Sequence, residues 1–107
     1  MPNNYKNAKL DLTTTNATVL YTTPSATTST VRSILVSEDS GNADTITVTI
    51  TDVDAVVFSL FKVKAVAANT TVELLDNALI VQENEILTVT AATANRLHVV
   101  ASLLEIN

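Results

Sequence analysis

Any chemistry done by this chain would have to run through His98, three acidic pairs and little else. His98 is the only histidine of the 107 residues and stands in Leu97-His98-Val99, inside a strand-like run. A histidine-based triad needs a nucleophile and an orienting acid brought to the imidazole, and no Gly-x-Ser-x-Gly turn supports one. One histidine and no cysteine exclude a multi-histidine or thiolate metal site within a single chain. Glu38-Asp39, Asp52-Val53-Asp54 and Glu83-Asn84-Glu85 each sit at a strand end. Converging loops of this kind would offer the oxygens a hard cation takes. The spaced Asp/Asn, Gly and Glu of a calcium loop are missing, so these acids read as solvated loop charges. Carboxylate pairs that hydrolyse glycosides usually come with aromatic sugar platforms, and Tyr5, Tyr21, Phe58 and Phe61 are too few to suggest one. Asn16-Ala17-Thr18 and Asn69-Thr70-Thr71 match the glycosylation sequon and read as chance matches. The expectation is a protein that is not an enzyme, with no cofactor and no metal.

Composition points to surfaces instead. The chain is 47% hydrophobic, mostly Val, Leu, Ile and Ala, and its polar residues are dominated by Thr, which together make a strand-former's alphabet. Eleven acids against six Lys and Arg give a net charge of -5, which disfavours nucleic acid as a partner. The apolar-rich stretch Ala55–Ala68 is interrupted by Ser59, Lys62 and Lys64, well short of the ~18 uninterrupted apolar residues of a membrane helix. Met1 to Lys6 lacks the apolar segment of a secretory signal. The expectation is a soluble product of a cytoplasm with no membrane partner.

The elements that would carry these surfaces are strands. Asp44 to Asp52 alternates apolar residues and Thr with a strict period of two, so Ile46, Val48 and Ile50 share one dry face. Further strands are predicted over Tyr5–Leu12, Thr18–Thr22, Thr30–Glu38, Val56–Ala67, Thr71–Leu75, Leu79–Gln82, Ile86–Ala91 and Arg96–Ile106, with no helical period anywhere. This predicts an all-β, antiparallel, jelly-roll-like β-sandwich of eight or nine strands, with a single domain over residues 18–107. Glu38-Asp39-Ser40-Gly41-Asn42 reads as a hairpin loop around the only glycine. Asn69, Asn77, Asn84 and Asn95 fall between apolar runs, where Asn replaces Gly at turns that need positive φ. Asp44 and Asp52 read as charges that guard a strongly β-forming strand against edge pairing.

Residues 1–17 are polar and weakly patterned, and read either as a first strand or as an arm that orders on a neighbouring subunit. Val31–Val36 and Leu97–Leu104 carry apolar residues on both faces, as expected of central strands or of strands covered by an oligomer. Tyr5, Leu10, Leu12, Val31, Leu35 and Leu103 are accordingly the candidate interface residues of a homo-oligomer.

Leu20-Tyr21-Thr22-Thr23-Pro24, followed by Val31-Arg32-Ser33-Ile34-Leu35-Val36 and Thr45-Ile46-Thr47-Val48, resembles the opening of small β-sandwich virion proteins of tailed bacteriophages. The likeness continues through Val72-Glu73-Leu74-Leu75, Ile86-Leu87-Thr88-Val89-Thr90-Ala91 and Val99–Ile106, covering residues 18–107. The Asn- and Thr-rich style is most similar to versions from phages of marine cyanobacteria. Where members carry Gly before the penultimate strand, this chain has Asn84-Glu85. The resemblance implies a virion structural protein made in a bacterial host's cytoplasm. Its role would be a capsid decoration or cement protein bound to the major capsid protein, or alternatively a neck, tail or fibre accessory that binds receptor or glycan. If residues 1–17 are an interfacial arm, deleting residues 1–15 is expected to abolish assembly, read by sedimentation, and to leave the circular dichroism and unfolding midpoint unchanged.

Overall fold

The structure, a computed structural model, describes residues 3–107. Nine strands follow in order: β1 Asn3–Asp11, β2 Thr18–Thr22, β3 Thr28–Glu38, β4 Asp44–Thr51, β5 Val57–Val66, β6 Thr71–Glu73, β7 Leu79–Val81, β8 Ile86–Ala91 and β9 Leu97–Ile106. They form two antiparallel sheets. The first runs β1-β9-β3-β6, with β7 also on β3, and the second runs β2-β8-β4-β5. Strand β7 pairs with Ser29–Val31 and β6 with Leu35–Ser37, so the two behave as one interrupted strand along β3. Two four-strand layers wound in this order are a jelly roll, the β-sandwich that the residue pattern predicts.

Period-two alternation decides which side chains meet between the layers. Ile46 and Val48 of β4, Leu87 and Val89 of β8, and Leu97, Val99 and Leu103 of β9 are all buried. Strand β3 keeps one phase only up to a bulge between Val31 and Ser33, where one extra residue, Arg32, is inserted opposite β9. Val31 therefore faces the core on one side of the bulge, and Ile34 and Val36 face it on the other.

Only one pair of consecutive strands, β4 and β5, is a hairpin; the other connections cross between sheets or carry the chain along β3. The Glu38–Asn42 segment is thus a corner between β3 and β4, not the hairpin its composition suggests. Gly41 has φ 84° there, and Asn69, Asn84 and Asn95 have φ of 55°, 63° and 66°, as Asn-for-Gly turns require. Ala26, Ala55 and Val63 also have positive φ. Val63 is β-branched and sits where the β4–β5 pairing is irregular, its N–H donating to Thr47 Oγ1 at 3.1 Å. Strand β4 is internal to its sheet, so Asp44 and Asp52 guard no edge. Instead Asp44 is buried and accepts from Thr93 N–H, and Asp52 accepts from the N–H groups of Asp54 and Val56.

The first strand is part of the sandwich. Every residue of β1 has a partner on β9, from Asn3 opposite Ile106 to Asp11 opposite His98. Just beyond it, Leu12 is 1% exposed, donates its N–H to Leu97 O and accepts from Asn95 N–H. Removing residues 1–15 would therefore strip a core side chain and bare the edge of β9. Leu12→Ala is expected to cost about 2–5 kcal/mol, read as a lowered urea midpoint; an unchanged midpoint would restore the reading of this segment as a separable arm.

Candidate functional site

The two sheets present different outer faces. On β4 and β8 the outward positions are Thr45, Thr47, Thr49 and Thr51 beside Thr88 and Thr90, with Thr47 opposite Thr90 and Thr49 opposite Thr88. The exposed apolar residues of this second sheet lie on its two edge strands: Val19 on β2, and Val57, Phe58 and Val63 on β5. The centre of the second sheet is a hydroxyl-bearing, solvated surface.

The outer face of the first sheet carries apolar side chains in two rows that flank a polar centre. Its registers set Tyr5, Leu104, Thr30 and Ile80 side by side in one row over β1, β9, β3 and β7. Another row places Lys9, Val100, Leu35 and Glu73 across β1, β9, β3 and β6. Tyr5 is 78% and Ile80 51% exposed, and Leu35 and Val100 remain 39% and 37% exposed at the middle of the sheet, where a sandwich of this size needs no apolar side chain. Between the rows Asn7, Ser102 and the bulged Arg32 line a shallow depression of about 350 Å³ bordered by Tyr5.

These placements divide the interface residues expected from sequence. Tyr5 and Leu35 lie on the outer face of the first sheet. Leu12, Val31 and Leu103 are core residues, and Leu10 packs partly buried against the core, so none of these four offers a docking surface in the folded subunit. Val100, Leu104 and Ile80 occupy the surface instead. The signal that could have found Val100 and Leu104 is the alternation of β9, since Leu97, Val99, Ala101, Leu103 and Glu105 all point inward.

His98 is on the same outer face, at its end. Its Nε2 lies 3.2 Å from Asp11 Oδ1 and its Nδ1 3.7 Å from Asp39 Oδ1, so carboxylates face both ring nitrogens. This ties the end of β1 to the β3–β4 corner. Among the described residues no hydroxyl is hydrogen-bonded to the ring, and no group of three His, Cys, Asp or Glu side chains is placed to hold a metal.

The acids do structural work at the corners. Glu38 is buried, and its carboxylate accepts from the N–H groups of Ser40, Gly41, Asn42 and Asn69 and from the Ser40 hydroxyl. One side chain thus fixes the β3–β4 corner to the β5–β6 turn. Glu73 likewise accepts from Ser33 Oγ, Ile34 N–H and Leu75 N–H next to the bulge, and these bonds outweigh burial to hold its carboxyl below the usual range. At the other end of the sandwich the Tyr21 hydroxyl on β2 donates to Glu105 on β9 and lies 2.6 Å from Ser29 Oγ on β3, joining the two sheets. Lys6 Nζ is 3.6 Å from the same carboxylate. Burial first, then the bond to Glu105, push the Tyr21 hydroxyl up to about 12.

By sequence the chain matches no family model and no curated protein. By structure it is similar to a solved chain from the Bacillus endospore appendages, which "form a novel family of disulfide-linked pili". The identity is 10%, with a TM-score of 0.56 over 97% of this chain and 84% of that chain. A likeness at that identity shows a shared β-rich fold and nothing further.

The Glu38 cradle makes a pH prediction. Burial alone would raise this carboxyl, but the bonds from Ser40, Asn69 and Gly41 win and hold it at about 2 against an ordinary 4.5. A folded value below the unfolded one means that the stabilisation is complete above about 4.5 and is lost as pH falls toward about 2. Glu38→Gln is expected to unfold at lower urea at pH 7 and to lose less stability on acidification through that window than the natural chain. Parallel pH profiles for the two would contradict the cradle's role.

Proposed function

We propose that this protein is a structural subunit that works by assembling with other subunits through the outer face of its first sheet. Within that reading its role is that of a phage virion protein, a capsid decoration or cement subunit. The observation that carries the assembly reading is the pair of apolar patches, Tyr5, Leu104 and Ile80 in one row and Val100 and Leu35 in another, on a face that the sandwich core does not need. Burial of such area against a neighbour is the main favourable term in association. The virion setting rests on the sequence resemblance of residues 18–107 to small phage β-sandwich proteins. Jelly rolls serve in viral capsids, lectins and cupins alike, so the fold itself selects none of these.

The endospore appendage chain supports the broader half of the proposal, because a β-rich domain of similar shape there builds a pilus. Disulfide linkage is ruled out for this chain, which has no cysteine. Its assembly would rest on packing and charge. A glycan-binding role draws less support: the exposed aromatics Tyr5 and Phe58 lie on different sheets and form no common platform.

Mass spectrometry of gradient-purified particles of the encoding phage is expected to find the chain in a fixed ratio to the major capsid protein. Val100→Asp should lower that ratio while leaving the subunit folded. Particles that contain the major capsid protein and never this chain would refute the virion role.

A further inference from the structure

The outer face of the first sheet is complementary to itself. One of its rows runs from a cation at one edge to an anion at the other: Lys9 on β1, Val100 on β9, Leu35 on β3, Glu73 on β6. Turning a second copy about a two-fold axis that lies in the interface along the strands lays β1 over the partner's β6 and β7, and β9 over the partner's β3. Lys9 then meets the partner's Glu73, and Val100 meets the partner's Leu35. In the neighbouring row Tyr5 covers the partner's Ile80, and Leu104 covers the partner's Thr30. Each contact occurs twice, as an isologous interface requires. A two-fold axis across the strands would instead set Lys9 over Tyr5 and Glu73 over Ile80, leaving both charges without partners. Face-to-face packing with strands nearly aligned is also how twisted sheets stack, at about 30° and ~10 Å apart.

From these observations we infer that two copies of this chain pair through the first sheet, its outer face packed on the same face of the partner with Lys9 and Glu73 exchanged across the dyad. The inference rests on the assembly reading above and names the partner. Four strands across and nine residues along give a face of about 600 Å² per copy, or ~1,200 Å² for the pair, at the lower end of the range for stable, specific interfaces. Val100 packs on the partner's Leu35, Arg32 lies over the partner's Ser102 between the two rows, and the two ion pairs at the rim set the register of the copies. The Thr-bearing face of the second sheet stays outside.

Sedimentation of the purified chain tests this. The natural protein is expected to be a dimer at micromolar concentration. Val100→Asp and Leu35→Glu should be monomeric with unchanged circular dichroism, and Thr49→Glu on the opposite face should remain dimeric. Lys9→Glu should weaken the dimer about tenfold or more at low salt, with part of the loss recovered at 0.5 M salt as the like charges are screened. Mixing Lys9→Glu with Glu73→Lys should restore dimers, because each mixed pair recovers both opposite-charge contacts. Glu73 also accepts bonds from Ile34 and Leu75, so if Glu73→Lys does not fold, the salt response of Lys9→Glu decides. A natural chain that stays monomeric at hundreds of micromolar overturns the inference, as does a dimer indifferent to Val100→Asp. If the chain is monomeric and Val100→Asp is nevertheless lost from particles, the assembly reading stands and the second copy falls.

Discussion

The two-sided pairing of β9 is the constraint on which the rest of this structure depends. Its ten residues hold β1 on one edge and β3 on the other, joining the beginning of the chain to its end. Its alternation sorts side chains in one step: Leu97, Val99, Ala101 and Leu103 fill the space between the layers, and His98, Val100, Ser102, Leu104 and Ile106 form the outer surface. Slipping this strand by one residue would exchange the two sets, exposing four buried apolar side chains. Core and candidate interface are therefore specified together by one pairing register.

Because six of the eight connections leave their sheet, the corners carry much of the polar architecture. A hairpin satisfies its own backbone groups, whereas a crossing segment presents N–H groups that must be met from elsewhere. Glu38 meets three of them at the β3–β4 corner and a fourth at the β5–β6 turn, and Glu73 accepts two more N–H groups beside the bulge of β3. With Glu38, Glu73, Glu105 and the lone histidine engaged at corners and strand ends, exposed apolar side chains remain on the outer face of the first sheet and on the edge strand β5.

Strand positions were largely legible in the sequence, since β2 and β8 match their predicted limits and most of the others differ by one or two residues. Strand partners were not. Glu38–Asn42 has hairpin composition, and only long-range pairing shows that its flanking strands enter different sheets. The face of each residue on β3 was hidden for a related reason. Val31 and Leu35 share a face in any regular strand, but Arg32 adds a residue to the ladder, so Val31 turns inward and Leu35 outward. A bulge has no composition signature in a run as uniform as Thr-Val-Arg-Ser-Ile-Leu-Val. The role of Glu38 was equally invisible, because an acid beside a turn looks the same whether it is solvated or cradled.

In the proposed function the outer face of the first sheet is covered when subunits assemble. The absence of cysteine makes this directly measurable, since a single introduced thiol is the only one in the chain. Maleimide labelling of Val100→Cys and Thr49→Cys should proceed at similar rates in dilute, dissociated subunits. In the assembled protein strong protection is expected at position 100 and none at position 49. Equal labelling of both positions in the assembly, or protection at 49 alone, would contradict it.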